Sequence, residues 1–321
     1  MRIGFIGLGN VGGKLSGSLL RNSIELVVHD LDGALVDKMV DLGATKGQSP
    51  AQMMRDCDAV ITCLPSPAAS ALVMEGEAGL LESMTDGKIW MEMSTTDEAE
   101  VKRLGAKVAA KGGAAIDCPV SGGCHRADTG NISIFAGCDR ATFERILPLL
   151  TTMGRRVLHT GDLGSASVLK VLTNFLATAN LITCCEALVV AKAAGMDLNT
   201  AYEAIKISSG TSFVHETESQ VILNGSRDIS FTMDLVLKDI GLFQDVADRA
   251  NVPLEMNPLM IKILKDGIAR YGAREFSPNL IRRLEDVTGL DIRAAGFPAE
   301  MTDDEPEEQG YEIVPKGVAS N

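Results

Sequence analysis

The opening of the chain most constrains its fold. RIGFIG at 2–7 is an apolar run of strand length that leads directly into Gly7-Leu8-Gly9-Asn10-Val11-Gly12. An amphipathic segment follows to Leu20, and a second apolar run, ELVVHD at 25–30, ends on Asp30. Glycines at this spacing, between a strand and a helix and with an acid at the end of the next strand, form a dinucleotide fingerprint. The first glycine permits a tight turn, the second lets a pyrophosphate approach, and the third allows close helix–strand packing. The helix N-terminus then faces the phosphates. Asp30 is placed to hydrogen-bond ribose hydroxyls and to repel a 2′-phosphate. Leu31, Asp32 and Gly33 supply no cation for such a phosphate, so NAD is expected over NADP. Asp32 fits the helix N-cap, which leaves Asp30 for the ribose.

Further short apolar runs lie at 59–64, 88–93, 114–117, 131–136 and 156–159, separated by helix-like segments. Strands alternating with helices predict an α/β fold, a doubly wound parallel sheet of Rossmann type. After Gly164 the alternation stops. Residues 165–194 contain neither Pro nor Gly and predict one long helix of roughly 45 Å. Helical segments near 199–208, 213–223, 231–250, 256–270 and 277–288 follow. The expected organisation is a dinucleotide-binding domain at 1–163, an all-helical domain for substrate and assembly at 164–292, and an acidic tail at 293–321. That tail should be mobile or wrap the surface, because 300–321 holds seven acids and one lysine.

A net charge of −13 argues against nucleic acid or an anionic membrane as partner. Seven cysteines, an odd number with no CxxC, read as reduced thiols of a cytoplasmic protein. MRIGFIGLGN is too short and glycine-broken for a signal peptide. No histidine has metal-ligand spacing, so no metal is expected. The long helix is apolar around most of its circumference but carries Lys170, Asn174, Glu186 and Lys192, which argues against a membrane span. One helical domain of this size covers such a rod poorly, so a homodimer or homotetramer is expected.

Two clusters carry candidate chemistry. On the long helix, Lys170, Thr173, Asn174 and Thr178 share one face at i, i+3, i+4 and i+8. A lysine on a buried helix either snorkels or has a task. In Asp117-Cys118-Pro119-Val120-Ser121-Gly122-Gly123, a hydroxyl and two glycines follow a strand, at the sheet edge where α/β folds bind ligands. Their amides can cradle a carboxylate; a structural turn explains the same pattern equally well.

Taken together, GFIGLGNVGG at 4–13, CLP at 63–65, MSTT at 93–96, DCPVSGG at 117–123, GSASVLKVLTN at 164–174 and FTMDLVLKDI at 231–240 resemble the β-hydroxyacid dehydrogenase family. 3-Hydroxyisobutyrate dehydrogenase and tartronate semialdehyde reductase are of this type. The resemblance spans residues 1 to about 290. It implies that Gly7, Leu8, Gly9, Asn10, Val11 and Gly12 hold the pyrophosphate and Asp30 the adenosine ribose. Leu64, Pro65, Thr95 and Lys238 lie along the cofactor toward the nicotinamide. Ser121, Gly122 and Gly123 bind the substrate carboxylate, with Thr173 nearby. Lys170 is the general acid/base, and Asn174 orients it or the substrate.

The implied activity is NAD-dependent hydride transfer to and from the β-carbinol of a small 3-hydroxy acid. The reverse reduction of a semialdehyde, including a sulfonate analogue, is the alternative. A catalytically silent scaffold is the alternative of another class, and the presence of Lys170, Ser121 and Asn174 weighs against it. Departures from the pattern cluster near the substrate: Thr173 where Asn is common, Gly164-Ser165-Ala166 before the lysine, and Leu169 for a smaller residue. His125 follows the glycine turn as a further candidate for lining the substrate pocket, and Arg126 as a candidate second contact to the substrate anion.

Overall fold

The computed structural model describes residues 1–317; the last four residues of the expected acidic tail, 318–321, lie outside the described residues. The elements are β1 (Arg2–Ile6), α1 (Gly12–Arg21), β2 (Glu25–His29), α2 (Gly33–Asp41), β3 (Thr45–Lys46), α3 (Pro50–Asp56), β4 (Ala59–Thr62), α4 (Pro67–Glu75), β5 (Ile89–Glu92), α5 (Glu98–Ala109), β6 (Ala114–Asp117), β7 (Val120–Ser121) and α6 (Gly123–Asp128). There follow β8 (Ser133–Gly137), α7 (Arg140–Met153), β9 (Arg156–Gly161), α8 (Ser165–Ala193), α9 (Leu198–Lys206), α10 (Phe213–Asn224), α11 (Met233–Arg249), α12 (Met256–Tyr271), α13 (Arg282–Thr288) and β10 (Tyr311–Ile313). The chain forms two compact units, residues 1–170 with 303 onward, and residues 171–302.

In the first unit the sheet order is β10-β9-β8-β6-β5-β4-β1-β2-β3, with β7 beside β8. The six strands from β3 to β6 are parallel to one another. A wholly parallel sheet was expected, but β8 runs antiparallel to β6 and β7. The reason lies between β6 and β8. The chain runs on from β6 through β7 and turns back at α6, whose six residues are too few for the crossover that a parallel neighbour needs. β9 and β10 continue parallel to β8. The second difference is β10 itself. The residues expected as a separate tail extend the sheet at its β9 edge, and from Asp303 they belong to the first unit.

The parallel strands are apolar along their length because helices cover both faces. Ile3, Phe5, Ile61, Ile89, Met91 and Ile116 are fully buried on one face; Val60, Met53, Met54, Met74 and Trp90 fill the other. A fully buried side chain of this size contributes roughly 1.5–3 kcal/mol. Trp90 also donates its indole N–H to the Thr62 hydroxyl at 2.9 Å. Helix starts follow local chemistry. Ser49 and Ser66 cap α3 and α4 with Pro in the first turn, and Asp32, Asp97 and Asp139 cap α2, α5 and α7.

The second unit is helical. Leu181, Leu188, Val214, Ile222 and Ile281 form one core cluster, and Met233, Val236, Ile240, Met260 and Leu264 another. Phe175 stacks on Phe243 at 4.4 Å. Arg227 pairs with Glu285 at 2.7 Å, both largely buried. On α8, Leu172, Leu176 and Val190 are exposed, the last two at 56% and 66%. Within one chain, then, the long helix is not covered on all sides.

On α10, Glu218 is partly accessible over all its atoms, but its Oε2 is buried without a hydrogen-bond partner. Burial pushes the carboxyl up from 4.5 to about 8. The folded state therefore binds a proton that the unfolded state releases, and stability falls as pH rises between these two values. Glu218→Gln is expected to flatten this slope and to gain roughly 1–3 kcal/mol near pH 8. Urea unfolding of both proteins at acidic and mildly alkaline pH checks it; parallel pH slopes would rule it out.

Candidate active site

The fingerprint glycines serve different purposes. Gly7 has φ +97°, its amide donates to the His29 carbonyl at 3.0 Å, and a Cβ there would stand 2.3 Å from the Cys63 carbonyl oxygen. At Gly12 a Cβ would lie 2.0 Å from the Gly7 carbonyl oxygen. Both positions exclude any side chain. Gly9 meets nothing within 4 Å, so glycine there keeps open space beside an α1 N-terminus that no side chain caps. Open space at a helix N-terminus fits a pyrophosphate. Asn10 is exposed, Val11 forms the N-cap of α1, and Leu8 is buried.

Asp30 is less free than expected. Its carboxylate accepts from the Leu8 amide at 2.6 Å and the Asp32 amide at 2.9 Å, stapling the glycine loop to the end of β2. Each oxygen keeps a second lone pair for a ribose hydroxyl. Asp32 caps α2 through the Ala34 amide, as its position suggested.

The sheet register aligns His29, Ile6, Thr62, Glu92, Asp117 and Gly137 in one row across the carboxyl edge. Two acids in that row organise the loops beyond it. Glu92 is fully buried and accepts from the Ser94 amide at 2.9 Å. The Ser94 hydroxyl in turn accepts from the Leu64 amide at 2.7 Å. The loops carrying Leu64 and Thr95 are thus locked together, while Pro65 stays exposed and Thr95 is half-buried. Burial holds the Glu92 carboxyl above the usual range.

Asp117 is likewise buried. It accepts from the Gly164 amide at 2.7 Å, the Ser167 amide at 2.6 Å and the Ser167 hydroxyl at 2.8 Å. Burial raises its carboxyl, and these bonds pull it back in part. Gly137 must be glycine opposite it, since a Cβ would fall 2.4 Å from Asp117 Oδ1. Asp117 therefore fixes the first turn of α8. Lys170 lies one turn further on and is only 9% exposed.

Ser121 ends β7, paired in register with Ser133 of β8. Gly122 and Gly123 both have positive φ, +129° and +87°, which other residues rarely adopt. His125 and Arg126 follow on α6. Burial, reinforced by the Arg126 charge, lowers the His125 pKa. Arg126, a candidate second contact to the substrate anion, pairs with Glu305 at 3.2 Å.

In the second unit, Asp239 joins two of the candidates. Asn174 Nδ2 donates to its Oδ2 at 2.5 Å, and Lys238 Nζ lies 2.8 Å from its Oδ1. Asp239 is buried. Thr173 is half-buried, and Thr178 donates its hydroxyl to the Asn174 carbonyl, which accounts for its place on the polar stripe. Sequence reasoning gave Asp117 and Asp239, both within quoted motifs, no role of their own and did not single out Glu92. The only available signal was an acid at the end of an otherwise apolar strand, or beside a candidate lysine.

Residues 2–161 match the model for the NAD binding domain of 6-phosphogluconate dehydrogenase. Residues 164–284 match that described as NAD-binding of NADP-dependent 3-hydroxyisobutyrate dehydrogenase. The chain is 32% identical to 2-(hydroxymethyl)glutarate dehydrogenase of Eubacterium barkeri, over 91% of this chain and 97% of that one. It is also 32% identical to 3-sulfolactaldehyde reductase of Escherichia coli (strain K12), over 90% and 97%. A crystal structure of 3-hydroxyisobutyrate dehydrogenase from Salmonella typhimurium superposes with a TM-score of 0.81 at 24% identity, over 88% of this chain and 99% of that one. With a glycine cradle that fits a pyrophosphate and both halves matched, the chain belongs to the β-hydroxyacid dehydrogenase family and is an oxidoreductase that uses a nicotinamide dinucleotide.

Proposed function

We propose that the protein oxidises a small 3-hydroxy acid with NAD⁺, and reduces the corresponding semialdehyde through the same site. The observation that carries this reading is Lys170, a buried lysine on the helix turn that Asp117 anchors to the sheet edge. The nicotinamide, when bound, supplies the hydride acceptor or donor. Gly7, Leu8, Gly9, Asn10, Val11 and Gly12 would hold the pyrophosphate, and Asp30 the ribose. Leu64, Pro65, Thr95 and Lys238 would flank the nicotinamide end. Ser121, Gly122 and Gly123 would bind the carboxylate, with Thr173 beside it. Lys170 Nζ takes the hydroxyl proton in oxidation and returns it to the carbonyl oxygen in reduction. Asn174, held by Asp239, orients the carbinol oxygen.

The names of the relatives support this class. 2-(Hydroxymethyl)glutarate carries a primary carbinol beside a carboxylated carbon, and 3-sulfolactaldehyde is an aldehyde with a sulfonate. Initial rates of nicotinamide reduction over a panel of 3-hydroxyisobutyrate, serine, glycerate and sulfonate analogues test the reading. Turnover of at least one is expected, and failure with all of them would refute it. Asp30 beside a loop without a cation supports NAD over NADP. A kcat/KM at least about tenfold higher with NAD⁺ is expected, because a 2′-phosphate would meet the like charge of Asp30, a juxtaposition that costs on the order of several kcal/mol. Equal values would overturn the preference.

The exposed apolar side of α8 supports a homodimer or homotetramer, with a second copy covering Leu172, Leu176 and Val190. Light scattering is expected to give a multiple of the 34.0 kDa chain; the mass of one chain would refute it. A cytoplasmic location accords with seven cysteines, none of them in a disulfide among the described residues.

A further inference from the structure

We propose that the C-terminal segment from Asp303 to Ile313 is a positioning element of the anion site. It clamps α6, and through α6 it holds the Ser121-Gly122-Gly123 backbone in the shape that receives the substrate carboxylate. The substrate half of this inference rests on the proposed function; the clamp itself does not.

The segment lies beyond both family models, which match residues 2–161 and 164–284. Its composition alone favours solvation, yet it is docked along its whole length. Tyr311, Glu312 and Ile313 pair in register with Arg156, Val157 and Leu158. The Gly310 amide donates to the Thr151 carbonyl at 2.9 Å, and a Cβ at Gly310 would fall 1.9 Å from the Gly154 carbonyl oxygen. Arginines far apart in sequence meet its acids: Arg21 with Glu307, Arg126 and Arg156 with Glu305, Arg155 with Glu308, and Arg140 with Glu312 through two contacts at 2.6 and 3.1 Å. The exposed pairs among these are worth roughly 0–1 kcal/mol each, so they do not decide the matter.

The contacts at α6 are of another kind. The Asp303 side chain is 3% exposed and accepts from the Thr129 hydroxyl and from Asn131 Nδ2 at 2.8 Å. Asn131 is itself fully buried and donates also to the Glu305 carbonyl at 2.8 Å. Thr129 and Asn131 directly follow α6, and the Asn131 amide closes its last turn on the Arg126 carbonyl. Arg126 sits on the helix with its guanidinium on Glu305. Its Cδ lies only 3.3 Å from where a Cβ of Gly122 would stand. One side chain thus joins the segment to the glycine turn.

α6 has six residues, too few to hold a helix by its own hydrogen bonds. It buries Ala127 and Cys124, and Lys14 and Arg21 of α1 meet Asp128 at 3.4 and 2.5 Å; beyond that packing, its geometry comes from its two ends. The β7–β8 pairing holds one, and Asp303 and Glu305 hold the other.

The test is the full-length double variant Asp303→Ala/Glu305→Ala, read by amide hydrogen exchange and by steady-state kinetics with 3-hydroxyisobutyrate as probe. Exchange over 122–131 is expected to accelerate at least about tenfold while β1 and β2 stay protected. KM for the probe should rise about tenfold with kcat within about twofold, the pattern for a contact made equally in ground and transition states. Affinity for NAD⁺ should hold. Asp303→Asn, which keeps an acceptor oxygen, should restore part of both effects. Unchanged exchange over 122–131 would overturn the clamp. Faster exchange with an unchanged KM would overturn its role at the anion site. A wild-type protein inert toward the probe would count against the proposed substrate, and exchange would still decide the clamp.

Discussion

Replacing Lys170 with alanine is expected to lower kcat by roughly 10²–10⁴-fold, the range for loss of a positioned general acid/base. The lysine is 9% exposed and follows by one turn the residue that Asp117 secures. Oxidation of a carbinol by hydride loss must shed the hydroxyl proton. Without an acceptor at the right distance, the alkoxide has to form unaided. Affinity for NAD⁺ should be nearly unchanged, because the glycine cradle between β1 and α1 contains no part of Lys170. A fall in kcat alone therefore separates a chemical role from a structural one. Lys170→Arg should not rescue, since a guanidinium does not give up its proton. An alanine variant with wild-type kcat would remove Lys170 from the mechanism.

The second large effect falls on a residue distant in sequence from that lysine. Asp117→Ala leaves two amides and one hydroxyl, at Gly164 and Ser167, without their buried acceptor. Each unsatisfied donor costs roughly 1–3 kcal/mol, and the three are not additive, so about 3–5 kcal/mol of stability is at stake. Asp117→Asn keeps the shape but turns an NH₂ toward donors. It should stay folded, with a smaller stability loss and a kcat lowered up to about 100-fold, as a shift of about 1 Å in the lysine would produce. Urea unfolding and kcat measured on the same preparations check both effects. An asparagine variant that loses stability but keeps full kcat would make Asp117 a brace for the fold alone.

The sequence displayed what depends on local order. The Gly7–Gly12 spacing, the apolar strands and the long uninterrupted helix are encoded by neighbours along the chain. Their boundaries came within a few residues of those observed, α8 among them. What it concealed depends on partners far away. Asp117 reads as the end of a strand until Gly164 and Ser167 are folded against it. Asp239 reads as one more acid on α11 until Asn174 reaches it. The acidic C-terminal run looks like a solvated tail because its counter-charges are scattered over Arg21, Arg126, Arg140, Arg155 and Arg156. No periodicity links them. Asp30 was assigned to a ligand, and its duty to the Leu8 amide could be seen only once the loop had closed.

The central claim is that hydride moves directly between the β-carbinol carbon and the nicotinamide while Lys170 handles the proton. It is tested most directly by a hydroxy acid from the panel deuterated at the carbinol carbon, oxidised with NAD⁺ in ordinary water. One deuterium per turnover is expected on the dihydronicotinamide, with the second retained on the aldehyde carbon and none released to solvent. Deuterium found in water, or an oxidised product formed without reduced nicotinamide, would contradict it.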